Sequence, residues 1–174
     1  MAAMTVLCCV GFAAVNVVFA IGDRFAEGAY PEYAAGLEVM NWLVVVLKLL
    51  GAALVVLSVA RPLRFPAPGA VAVALWAAFS TVAVYAAGNV AHVAAMATGL
   101  AGEAADIDAA GIAYVAFFLL MSAGLGTLAL SHTRRHRIRP RTAVLGALGA
   151  PFILSGILAA APALLTALGI MPPV

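Results

Sequence analysis

Charge is scarce in this chain: Asp, Glu, Lys and Arg make up 9% of its 174 residues. A soluble globular domain carries about 25%, so a largely water-covered surface is excluded. Cysteine is almost absent as well. Cys8 and Cys9 are adjacent, which suits neither an ordinary disulfide nor a metal site, and both read as small apolar residues. The N-terminal stretch lacks a basic region and a small-x-small cleavage site before Asp23, so it is expected to be a retained span rather than a removed signal. No internal repeat is visible.

What the chain has in quantity is hydrocarbon, with 66% hydrophobic residues. Five apolar segments cover residues 4–22, 37–60, 69–97, 109–130 and 143–168. Each is near or above the roughly 20 residues that cross about 30 Å of hydrocarbon as a helix. Lipid offers the backbone no partners, so spanning segments must satisfy their own hydrogen bonds, and these runs are continuous rather than alternating. The expected fold is all-α: an integral membrane bundle of five transmembrane helices, one domain over residues 1–174, multi-pass in the cell membrane.

The few charges are sorted by sign. Arg61 and Arg64 lie between segments two and three, and Arg134, Arg135, Arg137, Arg139 and Arg141 between segments four and five. Basic short loops stay in the cytoplasm, which puts the N-terminus inside and the C-terminus outside. The second basic loop, with His132 and His136, is expected to be solvated and to sit on anionic headgroups. So short a linker between two spans argues against nucleic acid. All seven acids, Asp23, Glu27, Glu32, Glu38, Glu103, Asp106 and Asp108, fall at the other side.

Polar residues inside the spans fall at helical spacing. Tyr85, Asn89, His92 and Met96 share one stripe of the third segment, and Glu38, Asn41, Val45 and Lys48 share one of the second. Asn16 and Asp23 lie close to one stripe of the first, while Tyr114, Phe118, Met121 and Leu125 line the fourth. Most of these polar positions lie in the non-cytoplasmic half, which predicts one polar chamber there. Lys48 is too deep for its ammonium to reach the interface, so it is expected to face the bundle. Ser122 and Gly126 form a small-xxx-small pair suited to close helix contact. Pro151 and Pro162 are expected to kink the fifth helix. Phe25, Tyr30 and Tyr33 read as an interfacial aromatic belt, or alternatively as a lid.

A carboxyl group beside an apolar cavity loses hydration, which favours its neutral, proton-donating form. This points to an intramembrane enzyme acting on an isoprenoid- or lipid-like substrate by acid–base chemistry, as a cyclase or isomerase. Its expected catalytic residues are Glu38, His92 and Asp23. Asn16, Asn41, Trp42, Lys48, Tyr85, Asn89, Tyr114 and Phe118 are expected to bind substrate, with Phe12 among the rings that could stabilise a carbocation. Five-span sterol isomerases and small membrane terpene cyclases are similar in architecture alone, since no motif is shared. No cofactor is expected. His92, Glu38 and Asp23 offer metal-binding atoms without a supporting HxxxH or ExxH pair among them, so no metal is expected either. Expected partners are membrane lipids and the apolar substrate, with a homo-oligomer left open. The alternatives are a small transporter or channel, or an accessory subunit of a larger membrane complex.

Overall fold

The computed structural model describes residues 1–28, 30–60 and 67–172. Arg61 and Arg64, which contribute to the expected orientation, lie outside the described residues. Five helices are long and apolar enough to cross a membrane: α1 (Ala2–Ile21), α2 (Ala34–Val59), α3 (Pro68–Ala97), α4 (Ala109–Arg135) and α5 (Pro140–Ala167). No strand occurs among the described residues.

Local sequence sets the helix ends. Pro68 and Pro140 occupy first-turn positions of α3 and α5, where a missing N–H costs nothing. Asp108 caps α4 by accepting the Gly111 N–H at 2.7 Å, which removes one orphan donor from its first turn. Three helices depart from their expected extents by three residues or more, α2 by beginning at Ala34. α4 continues through the histidine and arginines to Arg135, and α5 begins at Pro140. α5 is also less regular than the other spans. Its α-helical turns are interrupted at Leu148, and Gly156–Ala160 is wound as a π-helix just before Pro162.

α1 packs along α2 and α3 along α4, and α1 also meets α4, so the two hairpins join into one bundle. α5 lies against α3. The buried positions repeat at helical spacing, which is why these faces turn inward. α1 buries Thr5, Cys9 and Ala13; α2 buries Asn41, Val45, Ala52, Val55 and Ser58; α4 buries Phe118, Met121, Leu125, Leu128 and His132. The central apolar cluster comes entirely from α1 to α4.

Small residues decide how closely the helices approach. A side-chain carbon at Gly126 would come within 2.8 Å of the Phe79 ring, and one at Gly124 would collide with Thr5. α4 therefore uses one glycine against α3 and another against α1. At Gly146 an added carbon would stand 2.6 Å from the Val73 carbonyl oxygen, so bare backbone fastens α5 to α3.

The ends of α2, α3 and α4 near the basic loops are tied together by polar contacts. The His132 ring nitrogens lie 3.3 Å from the Ser58 carbonyl oxygen and 3.2 Å from that of Pro68. Arg135 donates to the same Ser58 oxygen at 2.6 Å. Trp76 donates its indole N–H to Thr133 Oγ1 at 3.0 Å, so this ring bonds within the bundle. His132 is buried, which corrects its expected place in a solvated loop. α4 carries it past the apolar run and turns it toward the last turn of α2 and the first turn of α3. His136, stacked on it with ring centroids 4.4 Å apart, is half-buried.

Candidate functional site

At the acidic end of the bundle, α3, the short turn Ala104–Asp106 and the start of α4 enclose an open pocket of about 140 Å³. α3 contributes Asn89, His92, Val93 and Met96, which are consecutive positions of its stripe. The loop contributes Asp106, Ile107 and Asp108, and α4 contributes Gly111, Tyr114 and Val115. The loop is drawn back over the pocket by a pair of turns. Gly99 and Gly102 both have positive φ, +73° and +89°, a conformation glycine reaches without steric cost. The main-chain N–H of Glu103 then donates to Asp106 Oδ2 at 3.3 Å. Asp108 is held by its capping bond to Gly111.

Below the pocket, the Tyr85 and Tyr114 hydroxyls share a hydrogen bond at 2.7 Å. Asn89 donates its side-chain amide to the Tyr85 carbonyl at 2.8 Å, so part of its polarity is answered within its own helix. Both tyrosine rings pack on Phe118, each with centroids 4.8 Å from it. Phe118 in turn meets Phe12 and Phe117 at 5.3 and 5.6 Å. The aromatic cluster leads directly to Lys48.

The Lys48 Nζ lies 4.9 Å from the Phe12 ring centre and 4.7 Å from that of Phe118. Among the described residues it donates to the Met121 thioether, at 3.8 Å. Cys9 Sγ approaches the same sulfur at 3.9 Å. Lys48 thus turns inward between α1 and α4, at the centre of the aromatic cluster.

The residues expected to form one chamber fall into separate groups. His92, Asn89 and Tyr114 share the pocket, and Tyr85 joins them through Tyr114. Lys48 and Phe118 meet in the aromatic cluster. Asn41 is 6% exposed and donates to the Asn16 carbonyl at 2.8 Å, while Asn16 donates to the Phe12 carbonyl at 2.8 Å. These two asparagines join α1 to α2. Trp42 and Glu38 are exposed on α2, and neither lines the pocket. Asp23 is also exposed and follows the last turn of α1 in the left-handed region, at φ +48°. Tyr30 and Tyr33 meet edge to face at 6.5 Å, away from the pocket lining.

In the sequence, Asp106 and Asp108 read as a solvated acidic turn that caps the fourth helix, with cation attraction at a pocket mouth secondary. The structure confirms the caps and also puts both residues in the wall beside His92. Glycine spacing at Gly99 and Gly102 was the available signal, because two flexible positions let the loop fold back. No group of three or more His, Cys, Asp or Glu side chains suited to a metal ion occurs among the described residues.

Length and composition of the five helices define the class, a multi-pass helical membrane protein. No family model matches the chain, and neither a curated protein nor a solved structure matches it.

Proposed function

We propose that the protein is an intramembrane enzyme that moves a proton on an apolar, isoprenoid- or lipid-like substrate, as an isomerase or cyclase does. The observation that carries this reading is the composition of the pocket wall. His92, Asp106, Asp108 and Tyr114 bring proton-carrying groups to one opening, beside the apolar Val93, Met96, Ile107 and Val115. A general acid or base must come within hydrogen-bond reach of the bond it acts on. His92 is the group we assign to proton transfer, since imidazole gives and takes protons near neutral pH. Asp106 and Asp108 each keep one carboxylate oxygen beyond the capping bond and can stabilise its charged form. Asn89 and Tyr114 orient the substrate. Glu38 and Asp23, at the same end but outside the lining, attract or relay protons rather than touch the substrate. The sign pattern of the loops supports a cytoplasmic basic end and a pocket opening on the far side.

The test is conversion in detergent. Lipid and terpenoid extracts from the host are incubated with purified protein and with His92→Ala, and products are followed by mass spectrometry. A product that forms with the native chain and falls at least a hundredfold with His92→Ala supports the reading, in line with the usual worth of general acid–base catalysis. Identical product profiles end it.

A second reading is favoured by the surface. The chain exposes 10530 Å², about a third more than the ~7,900 Å² of a compact monomer of its mass. A loosely packed bundle of this kind supports a subunit that assembles with itself or with a larger membrane partner. Mass measurement of the detergent-extracted particle decides between a single chain and an assembly.

A further inference from the structure

Lys48 lies eleven residues before the end of α2 at Val59, about 16 Å along the axis. That is beyond the reach of a lysine side chain. Toward the other end the nearest acid on the same helix is Glu38, ten residues away, or about 15 Å. All seven carboxylates lie within residues 23–38 and 103–108. The ammonium therefore has no acid at its depth. What surrounds it instead is two ring faces and a thioether. Ring faces attract a cation but accept no conventional hydrogen bond, and a thioether is a weak acceptor. Three N–H donors are poorly answered in a place where charge is costly and marks function. The residue is half-buried rather than sealed in the core.

We propose that Lys48 and the rings of Phe12 and Phe118 form a binding site for the carboxylate of a long-chain apolar acid. The pairing brings the site to zero net charge, where the ammonium alone leaves +1. A carboxylic acid can arrive uncharged through hydrocarbon and release its proton to water beside the ammonium: the O–H bond breaks, the proton leaves on water, and a carboxylate–ammonium ion pair remains. Phosphate and sulfonate amphiphiles cannot arrive uncharged in this way, which is why the site selects a carboxylate. The apolar chain has the aromatic cluster to lie on, with Tyr85, Tyr114 and Phe117 beyond the first two rings. The site stands whether or not the pocket at the acidic end turns a substrate over.

The experiment reads binding and not turnover. Full-length protein in an uncharged detergent is titrated with cis-parinaric acid, and the fluorescent probe is competed with palmitic acid or methyl palmitate. Palmitic acid should displace the probe at a concentration at least tenfold below its methyl ester. Lys48→Met should weaken palmitic acid at least tenfold, while Lys48→Arg should stay within about threefold of the native chain. Absence of saturable probe binding overturns the proposal, and so does equal competition by acid and ester. The acid–ester comparison uses the native chain, so it decides the matter even if Lys48→Met fails to fold.

Discussion

His132 and His92 stand at opposite ends of the bundle. The first is 5% exposed, with both ring nitrogens within 3.3 Å of main-chain oxygens from two other helices. The second is exposed and opens on a pocket with two carboxylates in its wall. The basic end spends its polar side chains on closing the structure: Trp76, Thr133 and Arg135 are bonded there as well. The acidic end leaves most of its own unclosed. Buried polar groups are costly unless answered, so polar residues that stay open are the ones available to a ligand. Position along the span, rather than residue type, separates a structural histidine from a chemical one here.

The comparison breaks first, and hardest, at the two histidines. His132→Ala removes a buried ring together with its contacts to the Ser58 and Pro68 carbonyls, so a loss of about 3 kcal/mol is expected. His92→Ala should stay within about 0.5 kcal/mol, as exposed substitutions do. Thermal unfolding in detergent measures both, and equal losses would erase the distinction between the ends. Gly146→Ala tests how α5 is held near the basic end. Its new carbon meets the Val73 carbonyl at 2.6 Å, so the backbone must shift at a cost of about 1–3 kcal/mol. An unfolding midpoint equal to that of the native chain would show that α5 is not fastened there.

Two hydroxyl and indole bonds sharpen the same contrast at smaller magnitude. Trp76→Phe should cost about 1 kcal/mol, through the bond to Thr133 and some lost ring area, whereas Tyr85→Phe at the more open Tyr85–Tyr114 pair should cost about 0.5 kcal/mol. The smallest effect is expected from acid. Desolvation first, then the neighbouring His132 and Arg135 charges, hold His136 below its ordinary pKa. The folded chain thus binds fewer protons than the unfolded one near pH 6.5, so this contribution is complete above that pH and is lost as pH falls through it. His136→Ala should therefore show a slightly flatter unfolding midpoint between pH 8 and pH 5 than the native chain.

Much of this architecture was legible as written. Apolar length marked all five spans, and in the Tyr114, Phe118, Met121, Leu125 stripe the last three residues mark the inward face of α4, while Tyr114 is exposed. The depth of Lys48 announced that it would turn inward. His132 was not legible, because a histidine among arginines just beyond an apolar run reads as a loop residue. Only the approach of Ser58 and Pro68 from elsewhere in the chain makes it a clamp. The division of the polar stripes was equally hidden. Helical spacing says which residues share a face, but not which neighbour that face meets. Asn41 and Lys48 share a stripe, yet one bonds to α1 backbone while the other reaches between two phenylalanines.

The buried apolar centre draws nothing from the last span. Every partner of the lysine, of the tyrosine pair and of the histidine clamp precedes Arg139 in the chain. The register of the first four helices thus rests on contacts among themselves, and α5 acts as a brace along the outside.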